Sequence, residues 1–304
     1  MILPFIKQLK YIEGVGWGGS MQLDPKRWFT EICKEGGLAF SLAIKEKLHA
    51  QTTPYQHIEI YQTEAFGRLM VIDGFIMLSE RDNFFYHEMM AHPVLFTHPH
   101  PRRVLIIGGG DCGTLREVLK HEGVKQVQQV EIDEQVTRLA EKYFPELCQS
   151  NNDPRAHFHF GDGLRFVAQA PANSVDVMII DSTDPIGPAE GLFQASFYAD
   201  CQRLLGDKGI LVHQSESPLI HLDLLKKMRA EMKKGGFSQV RTLTYPQCVY
   251  PSGWWSATLA GHALPCFREQ DAAAKNFPTR YYNVDIHRAS LAIPEFLRQT
   301  EESS

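Results

Sequence analysis

From Val104 onward the chain alternates, unit after unit, between short apolar runs and amphipathic helical segments, and few folds accept that order. VLIIGGG (104–110), VQQVEID (127–133), HFHF (157–160), VDVMIID (175–181) and GILVHQ (209–214) read as strands. Each is followed by a segment with helical period: TLREVLKH (114–121), EQVTRLAEKYF (134–144), GLRFVAQA (163–170), SFYADCQRLL (196–205) and LDLLKKMRAEMKK (222–234). The last strands are expected near 237–244 and 254–260. Strands joined by helical crossovers run parallel, with helices covering both faces of the sheet. The expected fold class is therefore α/β, a doubly wound, mostly parallel sheet. In such sheets ligands bind beyond the carboxyl ends of the strands. Informative residues should sit just after each strand.

Upstream the period is that of strands. LAFSLAI (38–44) and HIEIY (57–61) alternate, and RLMVIDGFIML (68–78) is two strands around Asp73-Gly74, a strong hairpin signal. These form a small antiparallel β-domain. DNFFYHEMMAH then reads as a helix, with Asp82 as its N-cap candidate. The expected organisation is an N-terminal extension over 1–23, the antiparallel β-domain over 24–81 and the α/β domain over 82–304. At roughly 150 residues per domain, 304 residues fit such a two-domain chain. No repeat at a solenoid period is present.

Composition removes several classes of function. Apolar residues are 43% and charged residues 22%, ordinary for a globular chain and foreign to collagen or disorder. The net charge of −5 supplies no basic field for nucleic acid. It mildly favours cationic ligands. No apolar run approaches the ~20 residues of a membrane helix. At the N-terminus a short apolar stretch precedes Lys7 and Lys10, the reverse of a signal peptide, and Met21 is an alternative start. The six cysteines (Cys33, Cys112, Cys148, Cys201, Cys248, Cys266) are scattered without a CxxC pair. They read as free thiols, and a cytoplasmic location is expected. No metal is expected, since HExxH and Cys/His zinc spacings are absent. His98-Pro-His100 and His157-Phe-His159 read as a loop and a strand. GxSxG and P-loop patterns are absent too.

The strand ends carry the chemistry. Gly108-Gly109-Gly110-Asp111-Cys112-Gly113 satisfies GxGxxG between a strand and a helix, and Glu131 ends the next strand about 20 residues on, where an acid accepts hydrogen bonds from ribose hydroxyls. A tight turn with a solvated Glu is the plainer alternative. Asp111 separates two nucleoside ligands. Inside a loop that cradles pyrophosphate a carboxylate would repel the ligand, whereas it attracts a cationic tail. Helix capping is its other reading. Asp162-Gly163 can hold an adenine amino group or make an ordinary turn. Asp181-Ser182-Thr183-Asp184-Pro185-Ile186-Gly187-Pro188 places two acids on a stiff loop, suited to cationic groups, with one acid able to take a proton. Gln214 ends another strand, Tyr250 sits in the turn before Pro251-Ser252-Gly253, and Tyr86 and His87 lie on the inter-domain helix. For a lone Tyr or His, core packing is the commoner role.

Together these stretches resemble the polyamine aminopropyltransferases, the spermidine synthase family. YQHIEIY, FGRLMVIDG, ERDNFFYHEMMAH, VLIIGGGDCG, VEID, GDG, DSTDPIGPAE, YPSG and RYYNVDIHRASLAIPEFL carry the resemblance, from about Trp28 to Arg298. It implies a Rossmann-like catalytic domain behind the small β-domain, and a homodimer or homotetramer. It implies no prosthetic group and no metal, with decarboxylated S-adenosylmethionine as co-substrate and putrescine as acceptor. By the resemblance Gln56, Glu131, Asp162, Gly163 and Pro188 hold the methylthioadenosine part, Asp111 binds the aminopropyl ammonium, and Asp181 accepts a proton. Tyr86, His87, Ser182, Thr183, Asp184 and Tyr250 shape the diamine site, with Trp28 and Gln214 as further lining. The departure is Cys112, where many members have Gly or Ala. Other acceptors (cadaverine, agmatine, spermidine), a diamine N-methyltransferase, a nicotinamide dehydrogenase and a non-catalytic polyamine-binding protein are the rival readings.

Overall fold

The computed structural model describes residues 23–183 and 187–301. The expectations placed on residues 1–22, Met21 among them, and on Asp184 lie outside the described residues.

Five strands open the chain: β1 (Trp28–Cys33), β2 (Leu38–Thr52), β3 (His57–Thr63), β4 (Arg68–Ile72) and β5 (Phe75–Ser79). They form one antiparallel sheet in sequence order. The Asp73-Gly74 turn closes the β4–β5 hairpin on the pair Ile72 and Phe75. Both turn residues have positive φ, 50° and 86°, as a type I′ turn requires. Strand β1 lies outside the strands expected from the sequence, and β2 runs to Thr52, past the expected 38–44.

Helix α1 (Asn83–Thr97) leads into β6 (Arg103–Gly108), α2 (Gly113–Leu119), β7 (Gln126–Glu131), α3 (Glu134–Tyr143), β8 (Ala156–Phe160), α4 (Gly163–Gln169) and β9 (Val177–Asp181). After a 3-10 segment (Gly187–Phe193) come α5 (Ala195–Leu205), β10 (Ile210–Gln214), α6 (Leu222–Lys234), β11 (Gln239–Pro246) and β12 (Trp254–Gly261). Three short helices follow: α7 (Glu269–Ala273), α8 (Val284–Ser290) and α9 (Glu295–Glu301). The seven strands make a second sheet in the order β11-β12-β10-β9-β6-β7-β8. It is parallel from β10 to β8, and β12 runs antiparallel to both its neighbours. This is the expected Rossmann-like architecture beside a small antiparallel sheet.

Burial on both faces explains the unbroken apolar runs. Val104 and Ile106 of β6 face a core with α1 and α2, whereas Leu105 and Ile107 face another with α5 and α6. The order in which strands are added reverses between β6 and β9, since β6 continues to β7 on one side and β9 to β10 on the other. That switch point opens a crevice at their carboxyl ends.

Asp82 precedes α1 but does not cap it through its side chain. Its carboxylate instead accepts hydrogen bonds from Ser79 Oγ (2.6 Å) and from the Val249 amide (3.1 Å). It thereby ties the first sheet and a distant loop to the start of α1. Glu88, nearly two turns on, accepts the backbone amides of Arg280, Tyr281 and Tyr282 at 2.7, 2.9 and 2.7 Å. The C-terminal segment is held on α1 by that carboxylate.

Candidate active site

The crevice at the switch point is a cavity of about 230 Å³. Gln56, Tyr86, Asp111, Glu131, Asp162, Gly163, Asp181, Ser182, Thr183 and Tyr250 all border it. Both sheets contribute: Met70, Ile72 and Met77 of the antiparallel sheet form an apolar wall opposite Ile107 and Val130.

Close contact between β6 and β9 sets the centre. Gly108 pairs with Asp181 across the two strands and has φ +82°. A Cβ on Gly108 would lie 2.2 Å from the Asp181 carbonyl oxygen, so only glycine fits. Asp181 ends its strand with both carboxylate oxygens engaged. Tyr86 donates to Oδ1 at 2.7 Å and Thr114 to Oδ2 at 2.6 Å. Burial pushes its carboxyl above the ordinary range, the charge of Asp111 adds to this, and the hydroxyls and His87 oppose it. The Tyr86 hydroxyl is itself pushed well up, by burial first and then by Asp181, so it remains a donor.

Asp111 behaves differently. Burial pushes its carboxyl up, but the charge of His87, their hydrogen bond and the Gly113 amide outweigh burial, and the net shift is downward. Oδ2 lies 3.1 Å from His87 Nε2, and Oδ1 accepts the Gly113 amide at 2.7 Å. His87 shifts upward: burial opposes its charge and the Asp111 carboxylate overcomes that. The two therefore form an ion pair, its ring buried and its carboxylate half-buried. Asp111 thus ties down the amide at the start of α2 and also borders the cavity.

Glu131 is the third acid. Burial, as the largest cause, pushes its carboxyl up to about 7, with Asp133 and Asp181 adding to it and two backbone amides opposing. Its Oε1 accepts the Asp133 amide at 2.9 Å. Asp133 in turn accepts from Gln56 Nε2 (3.0 Å) and Thr53 Oγ1 (2.7 Å), which fixes the Gln56 side chain at the cavity edge. Asp162 caps α4, accepting the Leu164 amide at 2.8 Å. Tyr250 donates to the Met77 carbonyl at 2.5 Å and so links the last strands to the first sheet.

Three expected lining residues stand elsewhere. His87 reaches the cavity only through Asp111. Gln214 is buried with its amide turned to Glu216, its Nε2 donating to Oε1 at 3.1 Å. Trp28 begins the outer strand β1 and is not among the lining residues. Pro188 falls within the 3-10 segment that follows the acidic loop. The sequence reading missed Thr114, the Thr53–Asp133 latch and the apolar wall. A threonine in a helix's first turn is too common to signal contact with Asp181. Among the described residues no group of three or more His, Cys, Asp or Glu side chains is gathered as a metal site.

An acid-lined crevice at a Rossmann switch point matches a known family. Residues 83–270 match the spermine/spermidine synthase domain. The chain belongs to the spermine/spermidine synthase family. Residues 27–80 match the spermidine synthase tetramerisation domain. A polyamine aminopropyltransferase of Nitrosococcus oceani is 91% identical over 284 residues, spanning 93% of this chain and 100% of that one. That of Methylococcus capsulatus is 62% identical over 274 residues, 90% of this chain and 96% of that one. Among solved structures, a spermidine synthase in complex with the transition state analogue AdoDATO superposes with a TM-score of 0.88 at 33% identity, covering 95% of this chain and 99% of that one. Spermidine synthase from Thermotoga maritima gives 0.87 at 33% identity, with 95% and 98% covered. This member of the spermidine synthase family is a transferase enzyme, an aminopropyltransferase of polyamine biosynthesis.

Proposed function

We propose that this enzyme transfers the aminopropyl group of decarboxylated S-adenosylmethionine to putrescine, giving spermidine and 5'-methylthioadenosine. The observation that carries the reading is the row of three acids, Glu131 buried and Asp111 and Asp181 half-buried, along one cavity with an apolar wall. Such a row suits a nucleoside bearing a cationic tail. Glu131 would accept the ribose hydroxyls, and Asp162 and Gly163 would meet the adenine. Asp111 would meet the terminal ammonium of the aminopropyl chain. Intact S-adenosylmethionine carries a carboxylate at that end. Two like charges in a desolvated site cost several kcal/mol. The complex of a related spermidine synthase with AdoDATO also supports this donor.

The acceptor poses the harder problem. A primary amine with pKa about 10.4 must lose a proton before it attacks, and at pH 7.4 that costs about 4 kcal/mol. Asp181 is the base in this reading. Its raised pKa narrows the gap to the amine, and Tyr86 and Thr114 aim its carboxylate. Nitrogen attacks the carbon next to sulfur, the carbon–sulfur bond breaks, and the neutral thioether leaves with its electron pair. The sulfonium is already an activated leaving group. In-line alignment of nitrogen, carbon and sulfur supplies further acceleration. Asp184 would hold the amine that stays charged.

One mass-spectrometric assay tests the reading. The enzyme is given decarboxylated S-adenosylmethionine with putrescine, cadaverine, agmatine or spermidine in turn, and intact S-adenosylmethionine in parallel. Methylthioadenosine and spermidine from the putrescine reaction are expected. A methylated amine with adenosylhomocysteine, or turnover confined to another amine, overturns it.

A further inference from the structure

Asp133 is not among the residues that line the cavity, yet it holds a cavity residue from each of the two sheets. It lies two residues beyond β7 and is buried. Its amide donates to Glu131 Oε1 at 2.9 Å. Its Oδ1 accepts the Gln135 amide at 3.1 Å and so caps α3. Its Oδ2 accepts from Thr53 Oγ1 at 2.7 Å and from Gln56 Nε2 at 3.0 Å. Thr53 and Gln56 belong to the turn between β2 and β3 of the antiparallel sheet. That turn is closed on itself, because Thr53 Oγ1 accepts the amides of Tyr55 and Gln56, both at 3.1 Å. The backbone and the side chain of Gln56 are thus both fixed.

The chemistry of this contact has a direction. A carboxylate only accepts hydrogen bonds, so the Gln56 amide nitrogen is committed to Asp133 and the amide oxygen is the group left for a ligand. We propose that Asp133 is a positioning residue for donor binding, which presents Gln56 to the ligand by its oxygen and ties it to Glu131, so that one acceptor from each sheet meets the nucleoside. This role rests on the donor reading above. In that reading Glu131 accepts the ribose hydroxyls, and the Gln56 oxygen suits the same kind of partner. Turned around, Gln56 would offer N–H donors to hydroxyls whose own protons need acceptors.

The direction can be tested by exchanging the two side-chain types. Gln56→Glu keeps the shape and keeps an oxygen toward the ligand. It also sets a second carboxylate at hydrogen-bond distance from Asp133, where like charges repel. Adding Asp133→Asn repairs the pair. The asparagine oxygen can stay on the Gln135 amide, and its nitrogen then donates to the introduced carboxylate. Asparagine caps a helix as well as aspartate does, and the exchange leaves the net charge as it was.

The test compares the full-length parent, Gln56→Glu and the double variant at pH 8. Methylthioadenosine affinity is read by isothermal titration and stability by the urea midpoint. Gln56→Glu should lower the midpoint and weaken methylthioadenosine binding by about tenfold or more, the scale of one charge-assisted hydrogen bond lost. The double variant should regain the parental midpoint and bind within about threefold of the parent, since every lost partner is replaced. Gln56→Glu with parental midpoint and affinity overturns the contact. A double variant that recovers neither quantity overturns it too. Recovery of the midpoint without recovery of affinity shows a contact that only stabilises the fold, and overturns the positioning role. A parent that binds no methylthioadenosine overturns the donor reading and this role with it, while the midpoints still report on the contact itself.

Discussion

At the scale of single residues the cavity spends folding stability on charge. Glu131 has its pKa pushed up to about 7, first by burial, against 4.5 for an ordinary glutamate. Between those values the folded chain holds a proton that the unfolded chain has released, so stability falls as pH rises through that window. At ~1.4 kcal/mol per unit the destabilisation above pH 7 is about 3 kcal/mol, and it vanishes below pH 4.5. Glu131→Gln cannot ionise. Its unfolding free energy relative to the parent, from urea denaturation, should move in the variant's favour by about 3 kcal/mol between pH 4.5 and pH 8. A difference that stays constant with pH would mean that Glu131 titrates normally. Donor affinity should move the other way, weakening in the variant at pH 8. Asp181 carries a different expectation. Asp181→Asn keeps the hydrogen-bonding shape toward Tyr86 and Thr114 but cannot take a proton. Turnover should fall by about 10²–10⁴, with the melting temperature at or above that of the parent. Near-normal turnover removes Asp181 as the base. The acids themselves were legible in the sequence, because the α/β alternation says where strands end and a ligand crevice lies there. Their partners were not. Thr114 and Asp133 act through tertiary contacts that no local pattern announces.

At the scale of elements, legibility followed burial. Strands β6, β9 and β10 are buried on both faces and stand out as runs, and α6 is delimited residue for residue by its period and its lysines. Strand β1 was missed because WFTEIC is six residues long and buries a glutamate, Glu31, on its inner face. That carboxylate accepts the Ile76 amide at 2.7 Å, a contact with no signature in the sequence. The C-terminal helices are five to seven residues long, too short for a period to show. The joint between α1 and α2 is where element packing bears on chemistry. Gly113 opens α2 beneath the His87 ring, and a Cβ there would come within 2.1 Å of a ring carbon. The ring is buried and has no room to retreat. Gly113→Ala should therefore force α1 and α2 apart at a cost of about 1–3 kcal/mol. The same shift should pull His87 from Asp111 and raise the KM for the donor. Thermal denaturation and donor titration check the two effects together. A variant with parental melting and parental KM would show that the joint yields without reaching the site.

At the scale of the whole molecule, the cavity belongs to neither sheet alone. The acids come from strand ends of the parallel sheet, and Met70, Ile72 and Met77 come from the antiparallel one. That is why the apolar wall could not be read beforehand: alternation in RLMVI and FIML says that a face is buried, and says nothing of what covers it. The antiparallel sheet has a second face to satisfy. Strand β1 is its edge, and an edge strand presents unpaired backbone groups that proteins cover or protect. Phe29, Glu31 and Cys33 point inward, whereas Ile32 on the other face is 64% exposed. An exposed isoleucine on an edge strand suits a contact surface, and this strand lies within the residues that match the tetramerisation domain. We expect the enzyme to assemble through this sheet, so multi-angle light scattering should return a whole multiple of the single-chain mass. Ile32→Asp puts a charge on that surface without touching the inward face. It should shift the mass toward the single chain on dilution to low micromolar concentration, while the circular dichroism of the fold is kept. If the parent is a single chain at every concentration, the expectation fails. If the variant keeps the parental mass under dilution, another face of the molecule makes the contact, and Ile32 is merely an exposed apolar residue of the ordinary kind.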